Sequence, residues 1–427
     1  IGDEVISIDD HTLEGRSAED VNLILGGQAG SKVAVKVKRP YTGQILEVNL
    51  ERTHVKEQTI PWSGMPTGNI AYVSLKTFSQ NASGEVREAI LKLTSQNEVQ
   101  GLIIDLRGNG GGLLLEAVNI ANLFVRQQEL IVSTRGRISD RNKNYRTYSS
   151  PLDMKIPVAI LIDEFSASAS EIVAGALQDL DRAVVIGQRS YGKGLVQNVV
   201  PLVYNAQLKV TIAKYYIPSG RCIQAIDYFD PKGNHEIPDS LISSFKIRNN
   251  RVVFDGKGIF PDIPVDKPGH SPVAKALINS FVIFDFATWY RIQHPGIPEP
   301  DQFRITESIW SDFMKFIKEQ GFSYKSPSEE KLEELYAVME RDGYQTFIQQ
   351  DYNTLATSLQ VLKTEDLSRQ KEEISRLLKR EIIYRYYFDT GQVKASLAED
   401  RELKEAYRIL RDPEAYSKML AGGYRPL

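Results

Sequence analysis

Two hydrophobic periods alternate along the middle of the chain. Short apolar runs of strand length recur there, and most are followed by a segment in which apolar residues return every three or four positions. The strand-like runs are Ile70 to Leu75, Gly101 to Asp105, Val158 to Ile162 and Ala183 to Ile186. The helix-like segments are Ala82 to Thr94, Leu114 to Val125 and Ile172 to Leu180. Repeated strand-helix units predict an α/β core, and the alternation of Leu208, Val210 and Ile212 adds an antiparallel strand.

The two ends of the chain have different patterns. Near the start, alternating apolar residues predict strands at Val5 to Ile8 and at Val33 to Val37, with a short helix capped at Ser17 between them. From Ser271 onward the periodicity is helical, and serine followed by proline marks helix starts at Ser271 and Ser326. The sequence therefore predicts an α/β core between a small β-rich segment and a helical region.

Composition narrows the classes of function. Hydrophobic residues make up 42% and charged residues 25% of the 427 residues, as in a soluble globular protein of two or three domains. A net charge of −3 and the lack of a basic block give no sign of a nucleic-acid partner. Cys222 is the only cysteine, so an intrachain disulfide and a multi-cysteine metal site are excluded.

A run of serines gives the first sign of chemistry. Ser166, Ser168 and Ser170 follow the strand-like run Val158 to Ile162 and precede a helix. This order exposes a hydroxyl at the positive end of a helix, where backbone N–H groups without helical partners can receive a developing oxyanion. The alternative is a capping box of Ser168 and Glu171 that only closes the helix end.

A serine nucleophile requires a base, and Lys193 is the candidate. All five histidines lie outside the stretch from Val55 to Asn234, which disfavours a Ser-His-Asp triad without excluding it. Lys193 lies between Gly192 and Gly194, which allow close approach of another backbone, and a lysine acts as a base when burial disfavours its ammonium form. Gln197 lies four positions on and would share the face of Lys193 in a strand. The alternative is a solvated surface lysine in a glycine-rich turn.

A glycine cluster offers a place to bind an anion. The sequence Gly101-Leu-Ile-Ile-Asp-Leu-Arg-Gly-Asn-Gly-Gly-Gly112 runs from a buried strand into glycines and then into a helix. Glycines at such a junction let backbone N–H groups approach a ligand closely. The cluster fits neither nucleotide-binding fingerprint, so an oxyanion hole is its better use, with a plain tight turn as the alternative.

Five motifs in this order resemble those of the carboxyl-terminal processing peptidases, also called tail-specific proteases. They are Asp105-Leu-Arg-Gly-Asn-Gly-Gly-Gly112, Ser166-Ala-Ser-Ala-Ser-Glu-Ile-Val-Ala-Gly-Ala-Leu-Gln-Asp179, Tyr191-Gly-Lys-Gly-Leu-Val-Gln197, Tyr216-Ile-Pro-Ser-Gly-Arg-Cys-Ile-Gln224 and Gly258-Ile-Phe-Pro-Asp262. The resemblance implies an α/β core like that of Clp protease and crotonase, and a reaction that needs no cofactor or metal.

The resemblance also implies a role for each site residue. Ser168, the middle serine, corresponds to the nucleophile, Lys193 to the general base and Gln197 to the residue that positions the lysine. The N–H groups of Ala169 and Gly111 are suggested for the oxyanion hole. The implied function is a serine endopeptidase that cleaves protein substrates near their C-terminus through an acyl-enzyme. Its activity should rise with pH, because only a neutral amine is a base.

The resemblance extends to the domain order. Residues 1–54 resemble the second half of a PDZ domain, which gives a partial PDZ domain at 1–54, a protease core at 55–269 and a helical domain at 270–427. Because the chain starts in mid-domain, we expect a fragment, with any export signal upstream. The family implies a cell-envelope or periplasmic location and substrates with accessible C-terminal tails. The helical region is a candidate for homo-oligomer contacts, and the polar segment 225–255 is expected to be an inserted hairpin or surface loop.

Two other functions remain open from the sequence. One is a PDZ-type peptide-binding scaffold with an inactive protease core, and the complete set of Ser168, Lys193 and Gln197 argues against it. The other is a crotonase-like acyl-CoA enzyme that uses only the glycine-lined oxyanion hole, which leaves Ser168 and Lys193 unexplained.

Overall fold

The computed structural model of the protein describes residues 1–54, 58–203, 206–225, 237, 239–266 and 269–422. Contacts within the chain form two compact units, Ile1–Lys56 with Pro268–Ala398, and Glu57–Lys267 with Glu399–Leu427. This grouping differs from the predicted domains at 1–54, 55–269 and 270–427, whose boundaries stay a prediction. The last part of the chain therefore shares a core with the middle part.

The first unit begins with a four-stranded antiparallel sheet. Its strands are β1 (Glu4–Ile8), β2 (His11–Thr12), β3 (Lys32–Lys38) and β4 (Ile45–Glu51), arranged β2-β1-β3-β4. Helix α1 (Ala18–Leu25) follows β2, and the predicted cap forms as a capping box between Ser17 and Asp20. Ile8, Val33 and Val35 of this sheet form one buried apolar cluster.

A six-stranded, mostly parallel sheet forms the centre of the second unit. The strands of this unit are β5 (Ser63–Thr67), β6 (Ile70–Ser74), β7 (Gly101–Asp105), β8 (Leu130–Arg135), β9 (Lys143–Arg146), β10 (Val158–Ile162), β11 (Ala183–Gly187), β12 (Leu195–Pro201), β13 (Gln207–Tyr216), β14 (Ser244–Lys246), β15 (Val252–Phe254) and β16 (Ile263–Pro264). The central sheet has the order β16-β11-β10-β7-β6-β5, and only the pairing of β5 with β6 is antiparallel. The predicted α/β class of the core is confirmed.

Helices cover both faces of the central sheet. Strands β7, β10 and β11 are buried at every residue, as expected of continuous apolar runs in a parallel sheet. Helices α2 (Ala82–Gln96), α3 (Leu114–Asn122) and α4 (Ala169–Asp179) share one apolar core with alternate residues of these strands. Helices α12 (Arg401–Leu410) and α13 (Pro413–Leu420) also pack on this sheet. Because successive side chains of a strand point to opposite faces of the sheet, these two helices are assigned to the face that α2, α3 and α4 leave uncovered.

A second sheet and a hairpin complete this unit. The second sheet is antiparallel, with the order β12-β13-β8-β9. Strands β14 and β15 form a hairpin inside the segment 225–255, where an inserted hairpin or loop was predicted, although residues 226–236 and 238 of that segment lie outside the described residues.

The helical region of the first unit has its own aromatic and aliphatic core. Its helices are α5 (Pro272–Asn279), α6 (Val282–Gln293), α7 (Glu307–Glu319), α8 (Pro327–Arg341), α9 (Gln345–Thr364), α10 (Asp366–Arg369) and α11 (Lys371–Ser396). Phe286 and Phe313 are fully buried, with ring centroids 5.0 Å apart. The predicted helical character of this region is confirmed. Within the described residues, no helix combines the length and the apolar character needed to cross a membrane.

Candidate active site

Ser168 stands where strand β10 gives way to helix α4. It is the N-cap residue of α4, and its backbone has φ 55° and ψ −111°. A positive φ is unfavourable for a residue with a side chain, and such strain costs roughly 1–3 kcal/mol. The surrounding contacts therefore hold Ser168 in a conformation that the free chain would avoid.

The three serines of the run have different surroundings. Ser166 and Ser170 are fully buried. The Ser166 hydroxyl donates to the carbonyl oxygen of Leu106 at 2.8 Å, and the Ser170 hydroxyl donates to that of Asn109 at 2.8 Å. Ser168, in contrast, is only partly buried. Two hydroxyls thus tie the serine loop to the glycine cluster, and the middle serine is the one that reaches the surface.

The buried carboxylate of Glu171 joins the two halves of the candidate site. Its Oε1 accepts from the Ser190 hydroxyl and from the Gly192 N–H, both at 2.6 Å. Its Oε2 accepts from the N–H groups of Ser168 and Lys193, both at 2.8 Å. Because one oxygen accepts from both N–H groups, the backbone nitrogens of Ser168 and Lys193 lie no farther apart than twice the hydrogen-bond distance of 2.8 Å. Sequence reasoning treated Glu171 only as half of a capping box.

Burial and hydrogen bonding act in opposite directions on Glu171. Burial raises the pKa of its carboxyl above the ordinary value, while the hydrogen bonds from Ser190, Lys193, Ser168 and Gly192 lower it and offset part of that rise. The four donors leave the carboxylate well solvated by the protein itself. This is the electrostatic requirement for a carboxylate at a fully buried position.

The lysine loop is held on its other side by residues 223–225. A side chain on Gly192 would place its Cβ 2.2 Å from the Cβ of Ala225, and one on Gly194 would come within 2.5 Å of the Gln224 nitrogen. The Gly194 N–H donates to Gln224 Oε1 at 2.7 Å. The predicted close approach of another backbone occurs at both glycines, whereas Lys193 itself is exposed.

The predicted strand that would carry both Lys193 and Gln197 includes only Gln197. Strand β12 begins at Leu195, and the register shifts between Val196 and Gln197. The extra residue of this bulge, Ile212, lies on β13, so a shared face of Lys193 and Gln197 stays a prediction. Gln197 is exposed on this strand.

The glycine cluster lies directly against Ser168. Gly111 has φ 106°, and a Cβ there would lie 2.9 Å both from the Ala167 oxygen and from the Ser168 Cβ. Only glycine fits this position. The Gly111 N–H donates to Asn109 Oδ1 at 2.9 Å, so the N–H suggested for the oxyanion hole already has an acceptor in this structure. Ala169 is the first residue of helix α4, where N–H groups lack intrahelical acceptors.

A buried ionic cluster ties the C-terminal helices to the same loop. The guanidinium of Arg107, three residues before Gly110, contacts Asp105 Oδ2 and Asp400 Oδ2, both at 2.6 Å, and Glu402 Oε2 at 3.3 Å. The charge of Arg107 holds the pKa of Asp400 below its ordinary value although burial opposes this, whereas burial raises the pKa of Glu402. Helix α12 is therefore anchored to the segment that leads into the glycine cluster.

Substitution Asp400→Asn tests this anchor. Asparagine caps a helix as well as aspartate does, so the change removes the charge beside Arg107 and keeps the cap that accepts from the Leu403 N–H. We expect the free energy of unfolding at pH 7, measured in urea, to fall by about 1–3 kcal/mol. The difference from the parent should shrink as the pH falls through the lowered pKa of Asp400, because the parent then also loses the charge.

The matched control is Glu405→Gln, whose carboxylate pairs with Arg408 at the surface. Exposed pairs contribute about 0–1 kcal/mol. Equal effects of the two substitutions would mean that the Arg107 cluster contributes no more than a surface pair.

Comparisons with known proteins agree with the sequence motifs. The sequence profile of Peptidase family S41 matches residues 69–231, and the profile described as Probable PDZ-protease, C-terminal helical domain, matches residues 273–410. The carboxy-terminal-processing protease of Bartonella bacilliformis is 36% identical over 228 residues, which cover 53% of this chain and 52% of that protein. CtpB, the carboxy-terminal processing protease of Bacillus subtilis, is 34% identical over 225 residues, covering 52% of this chain and 46% of that protein.

Among solved structures, the photosystem II D1 C-terminal processing protease is 28% identical and has a TM-score of 0.38, with 62% of this chain and 63% of that chain covered. The chain spans about half the length of the curated relatives it matches. In the part of the chain that the structure describes, no group of three or more histidine, cysteine, aspartate or glutamate residues is arranged to hold a metal ion.

Proposed function

We propose that the protein is a serine endopeptidase of peptidase family S41, whose profile matches residues 69–231, with Ser168 as nucleophile and Lys193 as general base. One observation carries the assignment of these two residues. A single oxygen of the buried Glu171 carboxylate accepts both of their N–H groups, which keeps the serine and the lysine on adjoining loops. The partial exposure of Ser168, next to two buried and hydrogen-bonded serines, supports the choice of the middle hydroxyl.

In the proposed reaction, Lys193 Nζ takes the proton of Ser168 Oγ as that oxygen attacks the scissile carbonyl carbon. The lysine then gives the proton to the leaving amine, and the acyl group stays on Ser168. A water molecule that loses a proton to Lys193 hydrolyses the ester and restores the serine. Gln197 would orient the lysine amine. A positioned base contributes about 10²–10⁴-fold in rate.

The oxyanion would accept from the N–H groups of Ala169 and Gly111. Because the Gly111 N–H is bonded to Asn109 Oδ1, the proposal requires this contact to open or to be shared when the tetrahedral intermediate forms. One such donor contributes roughly 10²–10³-fold in rate.

A neutral lysine also requires burial, which the exposed Lys193 lacks in the chain alone. We propose that the substrate supplies it by lying over the lysine. The base would then be most effective when a substrate is bound, because water has been excluded from around the amine.

Substrates, assembly and location belong to the same proposal. The names of the matched relatives describe processing at a carboxyl terminus, and we propose protein substrates with accessible C-terminal tails. The profile match at residues 273–410 supports a PDZ-protease organisation, with residues 1–54 as the second half of a PDZ domain. The helical region is proposed as the contact of a homo-oligomer and the cell envelope as the location.

Cleavage of an unstructured protein tests the proposal. We expect incubation with β-casein to release fragments that mass spectrometry can map, and a fluorophosphonate to label Ser168 as located by peptide mapping. A label on Ser166 or Ser170 would show that the labelled serine, and not Ser168, is the nucleophile. Binding of β-casein with neither cleavage nor label would favour the alternative function, a PDZ-type scaffold with an inactive core.

A further inference from the structure

Strand β12 is an open edge beside the proposed site. It begins two residues after Lys193 and contains Gln197, and its neighbour in the antiparallel sheet is β13 on one side. Among the described residues, no strand pairs with its other side. An unpaired edge presents free backbone donors and acceptors, and is a template for another extended chain.

The register of the ladder shows which groups are free. The N–H of Leu202 donates to the carbonyl oxygen of Ala206 at 2.8 Å, and the pairs continue inward as Pro201 with Gln207 and Val200 with Leu208. Opposed residues in an antiparallel pair alternate between bonded and non-bonded. Val200 and Asn198 therefore bond β13, while Gln197 and Val199 turn their N–H and C=O groups to the open side.

Pro201 limits this open edge to the part nearest the site. Proline has no N–H to donate, so the outward-facing donors end at Val199. The stretch from Leu195 to Val199 can accept a partner strand. The far end of β12, at Pro201, cannot extend the pairing. The accessible edge is thus confined to the residues that follow Lys193 directly.

The two-stranded ribbon that β12 and β13 form also has an apolar face with little cover. Val200 is 40% exposed, Leu208 49%, Val210 37% and Ile212 37%. A two-stranded ribbon is marginally stable in water, and a third strand with apolar side chains adds both backbone bonds and packing. An extended chain with apolar residues at alternate positions fits this face.

We infer that β12 receives an extended segment of the substrate polypeptide as an added strand, with apolar substrate side chains at alternate positions on the ribbon's apolar face. This inference rests on the proposed function, since it names how the protease would hold its substrate. The added strand lies beside Lys193 and Gln197, and it supplies the cover that the lysine requires. Main-chain hydrogen bonds give such strand addition its affinity whatever the substrate sequence, and the side-chain pockets give its specificity.

Substitution Val199→Pro removes one outward N–H and leaves the ladder to β13 intact. We expect kcat/KM for β-casein to fall about threefold to tenfold, which corresponds to the loss of one hydrogen bond and local pairing. The control is Lys209→Thr on β13, which changes a side chain opposite Val199 without changing an outward backbone group and should keep the parent kcat/KM. Fluorophosphonate labelling of Ser168 should be equal in all three proteins, because it needs no extended substrate.

Inhibition by synthetic peptides distinguishes backbone pairing from a general loss of fit. A ten-residue peptide of alternating valine and threonine is compared, as an inhibitor of β-casein cleavage, with isomers N-methylated at every valine or at every threonine. We expect at least one isomer to inhibit about tenfold more weakly than the unmethylated peptide. Against the Val199→Pro variant, the unmethylated peptide should inhibit cleavage more weakly than it does with the parent, while inhibition by that isomer should change little. The substitution and the N-methylation remove the same backbone hydrogen bonds, so their effects should not add.

Equal inhibition by all three peptides, or an unchanged kcat/KM in Val199→Pro, would overturn strand addition. Either result, with β-casein still cleaved and Ser168 still labelled by the fluorophosphonate, would leave the protease assignment in place. Failure of cleavage and labelling in the parent protein would instead remove the proposed function.

Discussion

Cleavage of β-casein is expected to stop when Ser168 is replaced by alanine, with a fall in kcat of at least about 10⁴-fold. The reason is chemical, because the proposed acyl group has no other oxygen to form on: the neighbouring hydroxyls of Ser166 and Ser170 are buried and donate to backbone carbonyls. Lys193→Ala should lower kcat nearly as far, since a serine hydroxyl without a base is a weak nucleophile. Fragment formation followed by mass spectrometry measures both.

The fold should survive both substitutions. Alanine keeps the backbone N–H through which residue 168 or 193 binds Glu171, so the unfolding midpoint in urea should stay near that of the parent. Ser95→Ala and Lys92→Ala, at exposed positions of helix α2, control for the loss of a hydroxyl and of an amine. Residual cleavage in Ser168→Ala at the parent rate would show that another residue, or a contaminant, performs the reaction.

Replacement of Glu171 by alanine is the second large effect. It leaves three N–H groups and the Ser190 hydroxyl without their acceptor inside the protein, and we expect the free energy of unfolding to fall by at least about 3 kcal/mol. The same change removes the oxygen that Ser168 and Lys193 share, so kcat/KM should fall by about 10²-fold or more, as for a loss of positioning in an active site.

Glu171→Gln separates the acceptor oxygen from the charge. Glutamine can keep its oxygen toward the N–H groups of Ser168 and Lys193. Its amide nitrogen then faces the Ser190 hydroxyl and the Gly192 N–H, and the Gly192 N–H loses its acceptor. We expect kcat/KM to fall about tenfold, a much smaller loss than in Glu171→Ala. Glutamine and alanine variants of equal activity would contradict a role for the shared oxygen.

The pH dependence of stability has a defined sign at this position. Because burial raises the pKa of Glu171, the folded state holds its proton to higher pH than the unfolded state does. The free energy of unfolding therefore decreases as the pH rises from the ordinary to the raised value. In Glu171→Gln this contribution is absent, so the stability of the variant should depend less on pH across that interval, which urea unfolding at several pH values measures.

The elements of the core could be predicted from local patterns because their causes are local. Continuous apolar runs marked β10 and β11, and a serine with an acidic residue three positions on marked the start of α1. The pairing of residues distant in sequence could not be predicted in the same way. Helices α12 and α13 have ordinary amphipathic patterns, and nothing in them identifies the sheet face on which they pack.

The candidate site shows the same division. The motifs identified Ser168, Lys193 and the glycines, whose roles stay a prediction. The bulge opposite Val196 and Gln197 depends on how β12 pairs with β13, which no local pattern in the sequence shows. Glu171 was visible as a helix cap, but its bonds to Gly192 and Lys193 come from a loop about twenty residues away, which only the folded chain brings together.

The packing of α12 and α13 on the central sheet sets an order for synthesis on the ribosome. Ile103, Leu161 and Ile186 are fully buried in the finished protein and fall outside the apolar core shared with α2, α3 and α4, which leaves α12 and α13 to cover their face of the sheet. That cover is translated only after the whole of residues 268–398, which belong to the other unit. A nascent chain that already contains the serine and lysine loops thus still carries an uncovered apolar surface. The core of the second unit can close only when α12 and α13 have left the ribosome.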